Sequence, residues 1–200
     1  MQKRSCFCQP SEIMVLSGSQ QGIDLITRAF INPGDVVIIE EPSFFPAIQA
    51  FRLAGAKIMA VPMDGDGMNV EILEQLLARY QPKLIYTMPV FHNPCGVSMS
   101  MDRRIRLLEL AGRYGIPIMV VENGLGTRDT VNEDGSIDDS YRIDYLRAHI
   151  QAIQRAMHYG VEVLAYNPWS FMDLLSTENG YQKRYGFVYV DRGEEDLRTL

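Results

Sequence analysis

Three short stretches of this 200-residue chain carry residue types at spacings that could do chemistry. Gly18-Ser19-Gln20-Gln21-Gly22 follows a short apolar run and opens a helical pattern. Backbone N–H groups and a helix dipole converge at such a turn, and the Ser19 hydroxyl adds a donor, so the stretch can hold an anion such as phosphate. His92-Asn93-Pro94-Cys95-Gly96 follows a second strand-like run, and Phe44-Phe45 follows a third that ends in Glu40-Glu41-Pro42. Glu122 ends the apolar run Ile116 to Val121 and precedes Asn123-Gly124. A strand-end carboxylate can act as a nucleophile when a second carboxyl group stands about 5 Å away as acid and base. Each stretch also has an ordinary reading. Small-residue turns open many helices, paired phenylalanines commonly pack a core, and a lone strand-end Glu is commonly a solvated terminus.

Alternating strands and helices must position these residues, as in an α/β protein. Ile13 to Leu16 reads as a strand, followed by a helix through Phe30. Asn32-Pro33-Gly34-Asp35 is a turn into a buried strand, Val36 to Ile39. A helix at Ala47 to Leu53, a strand at Lys57 to Val61 and a helix at Asn69 to Tyr80 follow. In the last of these, Val70, Leu73, Leu76 and Leu77 share one face. Lys83 to Met88 reads as a strand, Asp102 to Tyr114 as a helix, and Ile116 to Val121 as a buried strand. Beyond an acidic turn at Asn132 to Ser140 comes a long helix with Ile143, Leu146, Ile150, Ile153 and Met157 as its apolar stripe. Arg142, Arg147 and Arg155 sit largely off that stripe. Val161 to Tyr166 and Gly186 to Val190 read as the last strands.

Composition narrows the classes. At 46% hydrophobic and 22% charged, the chain suits one large domain or two small ones. A net charge of -6 argues against non-specific nucleic-acid binding, which needs basic surface. No apolar run approaches the roughly 20 residues of a membrane span, and the first residues lack the apolar core of a signal peptide. A cytoplasmic protein with no membrane partner is the expectation. Cys6, Cys8 and Cys95 have no zinc-type spacing, and His92, His149 and His158 are scattered, so no metal site is expected.

Taken together, Ser19-Gln20, Glu41-Pro42 with Phe44, and Asn93-Pro94 with Gly96 resemble fold-type-I aminotransferases, enzymes that use pyridoxal phosphate. The likeness, strongest to aminotransferase-like halves of certain transcription regulators, covers about residues 9 to 121. It implies that Ser19 and Gln20 hold the cofactor phosphate, that Phe44 stacks on the pyridine ring and that Asn93 bonds the phenolic oxygen. It also makes Asn93-Pro94 a candidate cis peptide. Cys95 stands where the family usually has Thr. The family's pyridinium-pairing Asp is absent after Ile116, where Glu122-Asn123 stands instead. Lys183 is the one lysine beyond that point. The implied cofactor role is therefore weak, non-covalent binding without the aldimine that transamination requires.

From about residue 119 to 200 the chain resembles the C-terminal part of glycoside hydrolase family 1. The likeness rests on Glu122-Asn123-Gly124-Leu125-Gly126, Asp134-Gly135-Ser136-Ile137-Asp138-Asp139, Tyr141-Arg142-Ile143-Asp144-Tyr145-Leu146, Asn167-Pro168-Trp169-Ser170 and Gly180 to Gly186. It implies Glu122 as nucleophile and Trp169 as part of a sugar platform. Ser176, Lys183 and Tyr185 match the pattern of the 6-phospho-β-glucosidases, where a lysine and two hydroxyls suit a sugar phosphate. That reaction requires no cofactor. The family's acid/base Glu belongs to an earlier Asn-Glu-Pro motif, of which Glu40-Glu41-Pro42 is a superficial lookalike without the Asn.

The combined expectation is a chimera-like α/β chain divided into segments 1–121 and 122–200. The first is a parallel sheet with helices on both faces. The second supplies C-terminal βα units of a TIM-type barrel, a fold of about 250 residues when complete. By descent the second segment hydrolyses 6-phospho-β-glucosides, with both active sites incomplete. The alternatives are a pyridoxal-phosphate-binding fragment, and a natural or engineered fusion with neither activity. Strand edges and apolar faces stripped of their partners favour homo-oligomers.

Overall fold

The computed structural model describes residues 11, 14–174, 180 and 182–190. Its first half is built around strand β1 (Val36–Glu41), the centre of a four-stranded sheet of order β3-β2-β1-β4. β2 (Lys57–Asp64) and β4 (Leu84–Tyr86) flank β1 in parallel, and the two-residue β3 (Gly67–Met68) turns back antiparallel onto β2. Alternate residues of a strand face opposite sides, and β1 uses both. Ile38 joins Val61, Met68, Leu73, Leu77 and Leu110 in one core; Val37 and Ile39 join Ile23, Ile31, Ala47 and Phe51 in another.

Helices α3 (Val70–Arg79) and α4 (Met101–Arg113) cover the first face, α1 (Ser19–Phe30) and α2 (Phe45–Leu53) the second. Local chemistry sets their ends. Asn69 caps α3 by accepting from the Ile72 N–H at 2.9 Å, which satisfies one orphan donor of the first turn. Pro46 stands in the first turn of α2, where its missing N–H costs nothing. Glu74 fastens α3 to α4 through Arg106 at 2.6 Å and Arg113 at 2.8 Å.

The second half is a βαβ unit. β5 (Ile118–Asn123) pairs in parallel with β6 (Val163–Pro168), and α5 (Ser140–His158) makes the crossover. Parallel strands require such a long connection, and here it is helical.

β5 pairs with β6 and has no ladder to β4, so the two segments carry separate sheets. Several expectations are corrected. β5 is not the buried strand expected: five of its residues are half-buried and Glu122 is exposed. Met14 to Leu16 form no strand, and Met14 and Val15 face solvent; Ile13 lies outside the described residues. Gly186 to Val190 is no ladder strand and contributes one bridge, Met172 to Val188. On α5 the expected polarity is partly reversed. Arg142 is its one buried residue, while Ile143, Ile150 and Met157 are exposed, because no apolar layer lies against that flank.

Candidate functional site

α1 runs back to the start of β1, so its N-terminus lies toward the edge where β1 and β4 end. Gln20 confirms this by donating from its side-chain amide to the Pro46 carbonyl at the start of α2, at 3.4 Å. Gly18 precedes α1 at φ +104, a conformation that favours glycine, and no side chain caps the helix. Ser19 is half-buried in that first turn. Phe44 precedes α2 and packs partly on the second core, with the remainder of its ring open. Asn93 is exposed on the turn after β4, and Asn93-Pro94 is cis, as are Glu41-Pro42 and Trp169-Ser170. Ser19, Gln20, Phe44 and Asn93 thus share one edge of the sheet, without a direct hydrogen bond between any two of them among the described residues.

Behind this edge lies a polar cluster that the sequence did not single out. Glu40 and His92 are both fully buried. The Glu40 carboxylate accepts from the Thr87 hydroxyl at 2.7 Å and the Met88 N–H at 2.8 Å. His92 Nε2 approaches Glu40 Oε2 to 3.1 Å but off the ring N–H axis, so neither ring nitrogen has an aligned hydrogen bond. Glu40 is therefore a structural carboxylate, standing where the motif would have Asn, while Glu41, the acid before Pro42 in the lookalike, is exposed at the end of β1. The one sequence signal was an acid directly following the apolar run Val36-Val37-Ile38-Ile39.

The second set of residues converges on the ends of β5 and β6. Glu122 is exposed beside Asn123, whose side chain donates to the Tyr145 hydroxyl at 2.9 Å and accepts from Tyr166 at 2.6 Å. Burial, with Tyr145 nearby, pushes the Tyr166 phenol up to about 12, so it remains a proton donor at neutral pH. The Trp169 N–H donates to the Asn123 carbonyl at 2.7 Å. A side chain at Gly124 would overlap the Trp169 carbonyl, and one at Gly126 would overlap the Tyr185 ring. The Ser170 N–H bonds the Tyr185 carbonyl at 3.0 Å. Glu122, Trp169 and Tyr185 are thereby tied to one short framework, with Lys183 two residues before Tyr185. Ser176, Cys6 and Cys8 lie outside the described residues. Arg184 is a structural residue: it pairs with Asp173 at 2.7 Å and donates to the Val190 carbonyl.

The two sets meet across the seam. A Cβ at Gly18 would stand 3.7 Å from Cη2 of Trp169, so the turn before α1 lies against the indole. Tyr86, at the end of β4, is pushed up to about 12 by burial and then by the charges of Glu122 and Glu40. A cleft of about 390 Å³ lies elsewhere, between Arg142, Ile143 and Leu146 of α5 and Phe187. No cluster of metal-ligating groups occurs among the described residues. No described helix is long and apolar enough to cross a membrane.

Two families meet at the same seam. The sequence profile described as Aminotransferase class I and II matches residues 5–122, and that of Glycosyl hydrolase family 1 matches residues 91–200. Each match spans more than half of the chain, which belongs to both families, the aminotransferase part first. Aromatic-amino-acid aminotransferase 1 of Thermococcus litoralis is 42% identical over 144 residues, covering 68% of this chain and 34% of the relative. Aryl-phospho-beta-D-glucosidase BglC of Bacillus subtilis is 54% identical over 97 residues, covering 48% of this chain and 20% of the relative. The chain therefore spans about a third of one relative and a fifth of the other. Among solved structures, the kynurenine aminotransferase of Pyrococcus horikoshii matches with TM-score 0.51 and 46% identity, over 53% of this chain and 28% of that one. LysN, an alpha-aminoadipate aminotransferase of Thermus thermophilus, matches with TM-score 0.54 and 35% identity, over 58% and 30%.

Proposed function

We propose that the segment from Glu122 onward recognises 6-phospho-β-glucosides and retains the nucleophile of their hydrolysis. The observation that carries this reading is the bonded framework of Asn123, Trp169, Ser170 and Tyr185, which holds Glu122 and Trp169 on neighbouring strand ends. In this reading Trp169 supports the sugar ring, while Lys183, Tyr185 and Ser176 hold its phosphate. Glu122 attacks the anomeric carbon and forms a glycosyl ester as the aglycone departs with the bonding electrons; water then hydrolyses the ester. Glu40 is buried and engaged, and Glu41 belongs to a lookalike without the Asn, so we assign no acid to protonate the departing aglycone. Turnover is thus restricted to aglycones that are stable as anions, and the sugar phosphate is a cytoplasmic ligand class. We place the boundary between the two segments at residues 121 and 122.

Dinitrophenyl 6-phospho-β-glucoside supplies such a leaving group. The intact chain should release dinitrophenolate, and Glu122→Gln should abolish the release. Equal release by the two proteins would sink the reading.

A second reading, non-covalent pyridoxal phosphate binding, is favoured by the uncapped N-terminus of α1 on the same edge as Phe44 and Asn93. The turn fits a phosphate, because its first N–H groups have no side-chain partner. Ser19 and Gln20 would hold the phosphate, Phe44 would stack on the ring, and Asn93 would donate to its phenolic oxygen. When bound in this family, the cofactor supplies an electron sink; here no residue is assigned as its Schiff-base lysine. The expected result is a saturable absorbance change, weakened about tenfold by Asn93→Ala, the equivalent of one hydrogen bond of ~1.4 kcal/mol. An unchanged spectrum at millimolar cofactor would remove this reading.

A further inference from the structure

The buried pair of Glu40 and His92 has no part in either reading, and its environment demands an explanation. Glu40 has no access to water, and its two hydrogen-bond donors, the Thr87 hydroxyl and the Met88 N–H, are neutral. A buried carboxylate is expensive unless a positive or proton-bearing partner meets it. His92 is the basic group at that contact, 3.1 Å away. The cost is double, because the imidazole is also sealed and its Nδ1 has no partner at all. Leaving buried polar atoms unpaired is unfavourable by a margin that core packing alone would remove with an apolar residue.

The topology shows what the pair joins. Glu40 stands near the end of β1, Thr87 and Met88 continue from β4, and His92 begins the turn that presents Asn93. That turn closes on His92 itself: the His92 N–H donates to the Val97 carbonyl at 2.8 Å, and the Gly96 N–H donates back to the His92 carbonyl. Asn93 is exposed on the turn that His92 begins, so its place follows that of the turn. Phe91, on the other side of His92, has φ +47, an uncommon conformation for a bulky residue, and its N–H is held by Ser98 at 3.1 Å.

We propose that His92 is a positioning residue, whose polar link to Glu40 anchors the Asn93 turn to the end of the central strand. The inference rests on the pyridoxal-phosphate reading for its ligand and on the Glu40 contact for its geometry. The side chain touches no ligand; it acts through Asn93.

The test compares His92→Gln, which keeps a donor within reach of Glu40, with His92→Phe, which fills the space without one. Two signals are read in the full-length chain: the NMR resonances of the Asn93 side-chain amide and the Gly96 N–H, and the affinity for pyridoxal phosphate. His92→Phe should shift and broaden both resonances and weaken the cofactor about tenfold, while His92→Gln should restore the resonances and bring affinity within about threefold. Unchanged resonances in His92→Phe would overturn the inference, as would His92→Gln behaving like His92→Phe, which would make shape rather than the polar link decisive. If wild type binds no cofactor, the cofactor reading fails and the resonances still decide the role of His92. Should His92→Phe not fold, Glu40→Gln with and without His92→Gln replaces it. Resonance changes that simply add would show two independent side chains and overturn the link.

Discussion

The halves of this molecule solve the problem of burial in different ways. Every fully buried hydrophobic side chain among the described residues lies between Ile23 and Ala111, in two cores on either face of β1. After residue 116 the buried side chains among the described residues are Arg142, Ser170 and Asp173, all polar. Arg142 pairs with Asp139 and, at 3.2 Å, with Asp129, while Tyr141 also bonds Asp129. Arg184 and Asp173 continue the network, and the Gly186 and Val190 N–H groups donate to Asp173. Ile143, Ile150, Met157, Phe171 and Phe187 are meanwhile exposed. The first half is held by non-directional apolar burial, the second by directional ion pairs that a single substitution can orphan.

The chain has one tryptophan, Trp169, so its fluorescence reports the second half and its contact with the Gly18 turn, while far-ultraviolet circular dichroism reports both halves throughout. The largest effect is expected from Arg142→Met. It leaves the side chain of Asp129, 5% exposed, without its cation, and breaking such a buried pair costs about 3–5 kcal/mol. The Trp169 transition in urea should move to lower concentration or vanish while the helical signal of the first half persists. Loss of both signals together would show a single cooperative unit and dissolve the contrast. Next comes Leu73→Ala in the first core, where Leu73 is 0% exposed, at about 2–5 kcal/mol. Its circular-dichroism transition should shift more than its Trp169 transition; equal shifts would again argue for one unit.

The smallest effect is expected from acid. Burial pushes the Asp173 carboxyl up, but hydrogen bonds from Val190, Arg184 and Gly186 outweigh it and leave the group below 3.8. A lowered folded value means that its contribution is complete above 3.8 and is lost as pH falls through the lower folded value. Asp139 acts in the opposite sense. Burial raises it despite Arg142, so its protonation on the way down relieves a penalty before Asp173 is reached. The Trp169 signal should therefore hold through mild acid and change only below about pH 4. A loss of that signal at pH 5 to 6 would contradict this order.

Much of the architecture was legible in the chain. The run Val36 to Ile39 after Asn32-Pro33-Gly34-Asp35 marked the central strand, because a continuous apolar run after a turn suits a strand buried on both faces. The presence and order of the two family resemblances were legible too, as was the turn at Asn93. What escaped were features that need two distant segments at once. Glu40 and His92 are 52 positions apart, and neither looks unusual alone. Arg142 read as a surface residue by helical spacing, since period says which residues share a face and not what lies opposite it. The strand Ile116 to Val121 read as buried without its partner being named, because periodicity does not say which strand lies beside it.

The sequence by itself determined most of the element types and the order of the two family segments, because period, turn chemistry and motif spacing are local properties. Tertiary structure alone decided that β5 pairs with β6 instead of extending the first sheet, and that Glu40 is sealed against His92. It also decided that Gly18 comes to rest on Trp169. Each of these depends on which surfaces are left to cover once the chain has folded back on itself, and burial is a property of the neighbours rather than of the residue.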